Sequence, residues 1–386
     1  MEAYLDNAAT TKVFSKAAQK MLQMMQKDYG NPSSLHKKGV EAEQQLKETR
    51  EIIARSLKVL PKEIIFTSGG TEANNLAIIG TAMANRRAGN HIITSCFEHA
   101  SVHQPFLYLK EQGFDVDFVS VDSNGHIDLN QLISLIRDDT ILVSIVYVNN
   151  EIGAIQNIES LVHSVKSINK NIVFHTDAVQ AYGKLKIFPS KEGIDLLSVS
   201  GHKIHGPKGS GFLYIREKSK IKPQILGGGQ QEGIRSGTEN VPAIVGLKEA
   251  VLEYFTDHEK KIMKLYECKQ RLIEQLLQIE GVVVHAISSD VQTAPHIVSV
   301  GFEGISRSEV LLHMLEEQGV FVSSGSACSS NHPGISSSLM AISVDKKFLN
   351  STLRFSFSLE TTVEEIDYAV AVLKEVLPKA RRFTRH

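Results

Sequence analysis

Seven short apolar runs alternate with amphipathic stretches over the first half of the chain, and this alternation constrains the fold more than any other feature. The runs are EIIF (63–66), HIITS (91–95), DVDFVSV (115–121), ILVSIVYV (141–148), IVFHTD (172–177), LLSVS (196–200) and GFLYI (211–215). Segments 101–112, 128–137 and 158–169 between them carry apolar residues at helical spacing. Strands separated by helices imply right-handed crossovers and a mainly parallel sheet of seven strands, covered on both faces.

Beyond residue 239 the pattern changes. A charged helical stretch is expected over 240–279, followed by strands VVVHA (282–286), HIVSVGF (296–302), VFVSS (320–324) and TLRFSF (352–357), with helices near 307–318 and 362–377. The expected organisation is an α/β large domain over 15–255 and a smaller α+β domain built from 1–14 and 256–386. The site should lie where the two meet, outside the carboxyl ends of the parallel strands.

Composition excludes several classes. With 42 basic against 43 acidic residues the formal charge is −1, so no global field draws in nucleic acid or an anionic membrane. No apolar run reaches the ~18 residues needed to span a bilayer. Three cysteines without metal-like spacing suit neither a disulfide framework nor a zinc site, and no metal is expected. A cytoplasmic, reducing compartment is the expectation.

The chemistry-bearing residues cluster at strand ends. In SVSGHKIHGPKGSGFLYI (198–215), Lys203 stands between Ser200, His202 and a glycine-rich turn. An amine condenses with an aldehyde only when deprotonated, which burial beside another cation favours. Pyridoxal phosphate needs such an amine; the alternative is a solvated surface lysine. In EIIFTSGGTEANNLAIIG (63–80) a strand ends in Gly69 and Gly70 and a helix is expected from Thr71, so free N–H groups can meet an anion. The alternative there is an ordinary turn capped by threonine.

Asp177 ends a strand with Gln180 three residues on. An aspartate there can keep a pyridine nitrogen protonated, or merely cap a helix. His99 follows another strand, where it can stack on a ring and shuttle protons, or simply pack. Asn149 and Asn150 follow the most apolar strand, as site residues or as a polar turn. Cys328 sits in SSGSACSSNHPG (323–334), a loop-like composition, whereas Cys96 and Cys268 fall in a strand and a helix. In TLRFSFS the alternation puts Arg354 on the polar face, for capture of a carboxylate or as an exposed sheet arginine.

These segments, with YLDNAATT (4–11), GNPSSLH (30–36), NNEIG (149–153), DAVQAYGK (177–184), GGGQQEGIRSGTEN (227–240) and SSGSACSS (323–330), occur in one order along nearly the whole chain. Together they resemble the cysteine desulfurases of the NifS and IscS type. The resemblance implies an aspartate-aminotransferase-like, fold-type I pyridoxal phosphate enzyme, a homodimer, acting on L-cysteine to give L-alanine. It implies that Lys203 binds the cofactor aldehyde, Asp177 pairs with the ring nitrogen, Gln180 bonds the ring hydroxyl and His99 stacks on the ring, with Asn150 beside cofactor and substrate. Gly70, Thr71, Ser200 and His202 would hold the phosphate, joined by Thr238 of the other subunit.

By the same resemblance Arg354 clamps the substrate carboxylate and Cys328 takes the sulfur as a persulfide for an acceptor protein, either an iron–sulfur scaffold or a tRNA-thiolating enzyme. Cys328 lies 26 residues before Arg354, the spacing of long-loop members. After the cysteine, GISSSLMAIS (334–343) departs from the family pattern, as do Gln231 and Glu232. Rival expectations are a selenocysteine lyase and a non-catalytic sulfur-pathway scaffold.

Overall fold

The computed structural model describes residues 1–287, 292–324 and 336–383. Its strands are β1 (Ala3–Tyr4), β2 (Ile64–Thr67), β3 (His91–Ser95), β4 (Asp115–Val119), β5 (Thr140–Val146), β6 (Val173–Asp177), β7 (Leu196–Ser200), β8 (Gly211–Ile215), β9 (Val282–Val284), β10 (Ile297–Phe302), β11 (Val320–Phe321), β12 (Ser323–Ser324) and β13 (Thr352–Ser356). Seven form one sheet in the order β2-β8-β7-β6-β5-β3-β4. β3, β4, β5, β6 and β7 pair in parallel, and β8 runs antiparallel to both β7 and β2.

Strand geometry turns successive side chains to opposite faces. Phe66, Ile93, Val143, Phe174, Leu197 and Phe212 therefore enter one apolar core, while their neighbours Ile65, Ile92, Leu142, Val173, Leu196 and Leu213 enter another. Burial on both faces explains why these runs are apolar throughout instead of alternating. Each such side chain, fully withdrawn from water, contributes roughly 1.5–3 kcal/mol. Chain order reverses direction across the sheet between β3 and β5. The loops there diverge to opposite faces and leave a crevice at the carboxyl ends.

A second sheet, β12-β13-β10-β9, is antiparallel and packs with helices His258–Leu276, Ser308–Glu316 and Val363–Phe383 around its own apolar core. Ala3 and Leu5 belong to that core, because β1 pairs in parallel with β11 and Asp6 bridges to Ser356. The N-terminal segment is thereby fixed between the two sheets.

The single helical stretch expected over 240–279 is instead two helices, Val241–Phe255 and His258–Leu276. Asp257 breaks them with φ 50°, a left-handed conformation that aspartate tolerates better than most residues. The expected strand 320–324 is likewise split into β11 and β12.

Candidate active site

A cavity of ≈ 350 Å³ opens at the carboxyl ends of β3, β5, β6 and β7. It is lined by Gly70, Thr71, His99, Asn150, Asp177, Gln180, Ser200, His202, Lys203 and Arg354, together with Asp6, Ala8 and Ala9. Ten residues singled out in the sequence are thus brought together. Thr238 is not among them: it is exposed on this chain and does not line its cavity. Cys328 lies outside the described residues.

At one end of the cavity helix Gly70–Asn85 begins. Its N-cap is Gly69, φ 149°, and no side chain caps it. The expectation of a helix starting at Thr71, or capped by it, is corrected: Thr71 is already inside the first turn. Orphan N–H groups and the positive end of the helix dipole are therefore left facing the cavity. A Cβ on Gly70 would come within 2.7 Å of Val179 Cγ2, so only glycine permits this close approach. Ser200 and His202 stand beside it. Burial, then the charges of Lys203, Lys208 and Lys184, pushes the His202 imidazole down to about 4, so it is neutral near pH 7. Its Nδ1 meets Thr10 Oγ1 at 3.1 Å.

At the other end stands Asp177, 4% exposed. Oδ1 accepts from the backbone N–H of Val179 at 2.9 Å and Oδ2 from Asn74 Nδ2 at 2.8 Å. The alternative of a helix cap is corrected: no helix begins directly after β6, and Asp177 Oδ1 instead closes a turn while the residue lines the cavity. Glu98 is buried nearby, its Oε1 accepting from Ser95 Oγ and from Val146 N–H. Burial pushes its carboxyl up to about 8, and the charge of Asp177 adds to the rise. Asp177 is thus spared a second carboxylate beside it at neutral pH.

Lys203 Nζ donates to the carbonyls of Ala8 and Ala9, at 2.6 and 2.7 Å. Ala8 O also accepts from Gln180 Nε2 at 2.9 Å, and Gln180 Oε1 faces His296 Nε2 at 3.0 Å. Lys184 donates to the backbone carbonyl of Lys203 at 2.5 Å. Burial, and then the charge on Lys203, lowers the Lys184 amine to about 7. Two amines therefore share one poorly solvated corner.

Arg354 is buried, which corrects the alternative of an exposed sheet arginine. Nη2 donates to Asp6 Oδ1 and Nη1 to the carbonyl of Asn150, both at 2.9 Å. Its Nε, also buried, has no hydrogen-bond partner among the described residues. Arg354 also lines the cavity, where a buried cation suits an acidic ligand group. Asn149, by contrast, holds the turn: it donates to Phe97 O and accepts from the N–H groups of Glu151 and Ile152.

Sequence reasoning assigned no role to Asp6, Asn74, Glu98 or Lys184. The signal for Asp6 was present in YLDNAATT, whose Thr10 and Thr11 also touch the lysine loop. Asn74 and Lys184 lie within EIIFTSGGTEANNLAIIG and DAVQAYGK, and Glu98 directly precedes His99, but nothing in those segments pointed to their contacts. Cys96 lies just past β3, half-buried, and Cys268 is buried in its helix; both are free thiols.

The aminotransferase class-V family model matches residues 3–369. A cysteine desulfurase IscS of Dictyoglomus turgidum is 41% identical over 381 residues, covering 98% of this chain and 95% of that protein. One from Methanosarcina thermophila is 42% identical, with 99% and 93% covered. Among solved structures, a NifS-like protein superposes with TM-score 0.92 at 36% identity over 98% of this chain and all of the other. A structure described as SspA in complex with cysteine gives TM-score 0.79 at 34% identity, covering 93% of this chain and 100% of that one.

Proposed function

The chain belongs to the class-V aminotransferases and, within them, to the cysteine desulfurases, and from that premise we propose how its own residues divide the reaction. The enzyme removes sulfur from L-cysteine to give L-alanine, with pyridoxal phosphate as cofactor. Neither a selenocysteine lyase nor a non-catalytic scaffold is favoured by relatives of this name.

The cavity suits the cofactor at both ends. Uncapped N–H groups at Gly70 and Thr71, with Ser200 and His202, offer donors to a phosphate, and Asp177 offers a carboxylate to a protonated ring nitrogen. Bound there, pyridoxal phosphate supplies an aldehyde that captures amines and a ring that accepts electrons. Gln180 would meet the ring hydroxyl, His99 would lie against the ring, and Asn150 would border both cofactor and substrate.

Lys203 is the amine that would hold the aldehyde, and as a free amine it would carry a proton at Nζ. The carbonyls of Ala8 and Ala9 give that amine a place to rest, and Lys184 opposes charge on it. Arg354 orients the substrate carboxylate from the cavity wall, held in place by Asp6 and Asn150 O. His99 moves protons at its ring nitrogen. Cys328, as thiolate, forms a bond to the substrate sulfur while the substrate C–S bond breaks. The electron pair stays on carbon, which gains a proton to complete alanine, and the sulfur remains as a persulfide.

We further infer a homodimer in which Thr238 of one subunit completes the phosphate site of the other. The acceptor of the persulfide would be an iron–sulfur scaffold or a tRNA-thiolating enzyme, in the cytoplasm. The domain division proposed is 15–255 against 1–14 with 256–386; one apolar core drawn wholly from the latter supports it, while Ala286, Ala294, Leu339 and Ile342 pack into the core of the former. One observation carries the reading: an amine, a carboxylate, a guanidinium and an uncapped helix start converge on a single cavity.

The test is the absorbance spectrum of the purified protein before and after L-cysteine, with alanine and sulfide assayed. Lys203→Ala should lose the yellow colour and all alanine formation. Cys328→Ser should keep the colour and release no sulfide. Full sulfide release by Cys328→Ser would discard the persulfide step, and undiminished colour in Lys203→Ala would discard the anchor.

A further inference from the structure

Four hydrogen bonds link His99 to Asp177 through two side chains that the reaction as described does not use. Asn74 Nδ2 lies 2.8 Å from Asp177 Oδ2 and 2.9 Å from Ser101 Oγ. Ser101 Oγ lies 2.8 Å from His99 Nδ1, and the backbone N–H of Ser101 donates to that same Nδ1 at 3.1 Å. Asn74 is fully buried, with Ser101 and Asp177 nearly so.

The direction of each bond follows from which groups can donate. An ionised carboxylate only accepts, so Asn74 must present its NH₂ to Asp177; the reverse orientation would oppose two acceptor oxygens. The second hydrogen of that NH₂ goes to Ser101 Oγ. The Ser101 hydroxyl then gives its own hydrogen to His99 Nδ1, as the Ser101 backbone N–H also does. With two donors aimed at Nδ1, the ring proton resides on Nε2. Asn74 Oδ1 has no partner among the described residues, an expense that a residue placed only for packing would not carry.

We propose that Asn74 and Ser101 are positioning residues that hold His99 as the neutral, Nε2-protonated imidazole and tie that choice to the ionised carboxylate of Asp177. The inference builds on the roles given above to His99 and Asp177. It means that His99 meets cofactor and substrate as an N–H donor at Nε2. It also means that protonating His99 at Nδ1 requires the relay to break. Asp6, Asp177, Lys203 and Arg354 share the cavity with the ring, and Glu151 lies within electrostatic range of it.

Nitrogen-15 NMR of the full-length, cofactor-bound protein labelled at histidine reads the ring directly, and the His99→Gln spectrum identifies its signals among the 15 histidines. The expected result is an acceptor-type Nδ1 and a protonated Nε2 near neutral pH. Ser101→Ala should introduce the Nδ1–H tautomer and raise the ring's protonation midpoint by about half a pH unit, because one donor to Nδ1 is lost. Ser101→Thr should restore both, and Asn74→Ala should act like Ser101→Ala. A protonated Nδ1 in the unmodified protein, or a ring unchanged by both alanine variants, would overturn the relay. These signals decide it whether or not cysteine is turned over, and the absorbance experiment decides the roles of Lys203 and Cys328 separately.

Discussion

Arg354 Nη2 donates to Asp6 Oδ1 at 2.9 Å, joining β13 to a residue 348 positions earlier in the chain. Arg354 is nearly inaccessible, so this charge pair is screened far less than a surface ion pair. Asp6 and the carbonyl of Asn150 together fix the guanidinium in the cavity wall.

If that contact positions the clamp, loss of the aspartate charge should act on substrate binding. Asp6→Asn keeps an acceptor oxygen, and we expect KM for cysteine to rise about 10-fold with kcat altered less than about 3-fold. Arg354→Ala should cost about 100-fold in kcat/KM. Steady-state kinetics on both variants checks this; a fall in kcat alone would remove Arg354 from substrate binding.

Glu98 gives a pH signature. Its folded carboxyl titrates at about 8 against an ordinary value of 4.5. Between those values the folded state holds a proton that the unfolded state has lost, so stability falls as pH rises through the window. Glu98→Gln removes that slope without changing shape. Denaturant unfolding of both proteins should therefore show the variant gaining on the parent from about pH 4.5 to about pH 8. A constant difference across the window would place the ionisable proton elsewhere.

The proposed shared site is open to a mixing experiment. Lys203→Ala and Thr238→Val homodimers should each be impaired, the first completely. In a randomly reassorted mixture half the dimers are hybrids, and each hybrid keeps one site with both native residues, so recovery of on the order of one quarter of parental activity is expected. No recovery, with hybrids demonstrated by mass, would confine Thr238 to its own chain.

Gly211 tests the scaffold beneath the helix start. A Cβ there would lie 2.5 Å from the carbonyl of Val199 and 2.7 Å from Gly69 Cα, both backbone atoms that cannot swing aside. Gly211→Ala should destabilise by about 2–4 kcal/mol and weaken cofactor retention, measured by unfolding and by dialysis.

Much of this was legible in the sequence because it is local. Burial on two faces forces continuous apolar runs, and His99, Asp177 and Lys203 all fall within four residues of the ends of those runs. The break at Asp257 was not legible, since neither proline nor glycine marks it; only the docking of helix His258–Leu276 on the second core requires the turn. Thr71 was misread as a helix start for the same reason. A glycine N-cap has no side chain by which to announce itself, and Gly69 is favoured there by its φ of 149°, a backbone conformation that other residues rarely adopt.

The sequence by itself determined which groups are proposed to carry the chemistry: the amine, the carboxylate, the guanidinium and the thiol, each with its neighbours along the chain. Tertiary structure alone decided what those groups rest against. Lys203 meets carbonyls 195 and 194 residues away, Asp177 meets Asn74 across 103, and Arg354 meets Asp6. No periodicity encodes such pairs, because they are set by the order in which strands lie in the sheet and by where the N-terminal segment is pinned. A hydrogen bond acts over about 3 Å and is indifferent to chain separation.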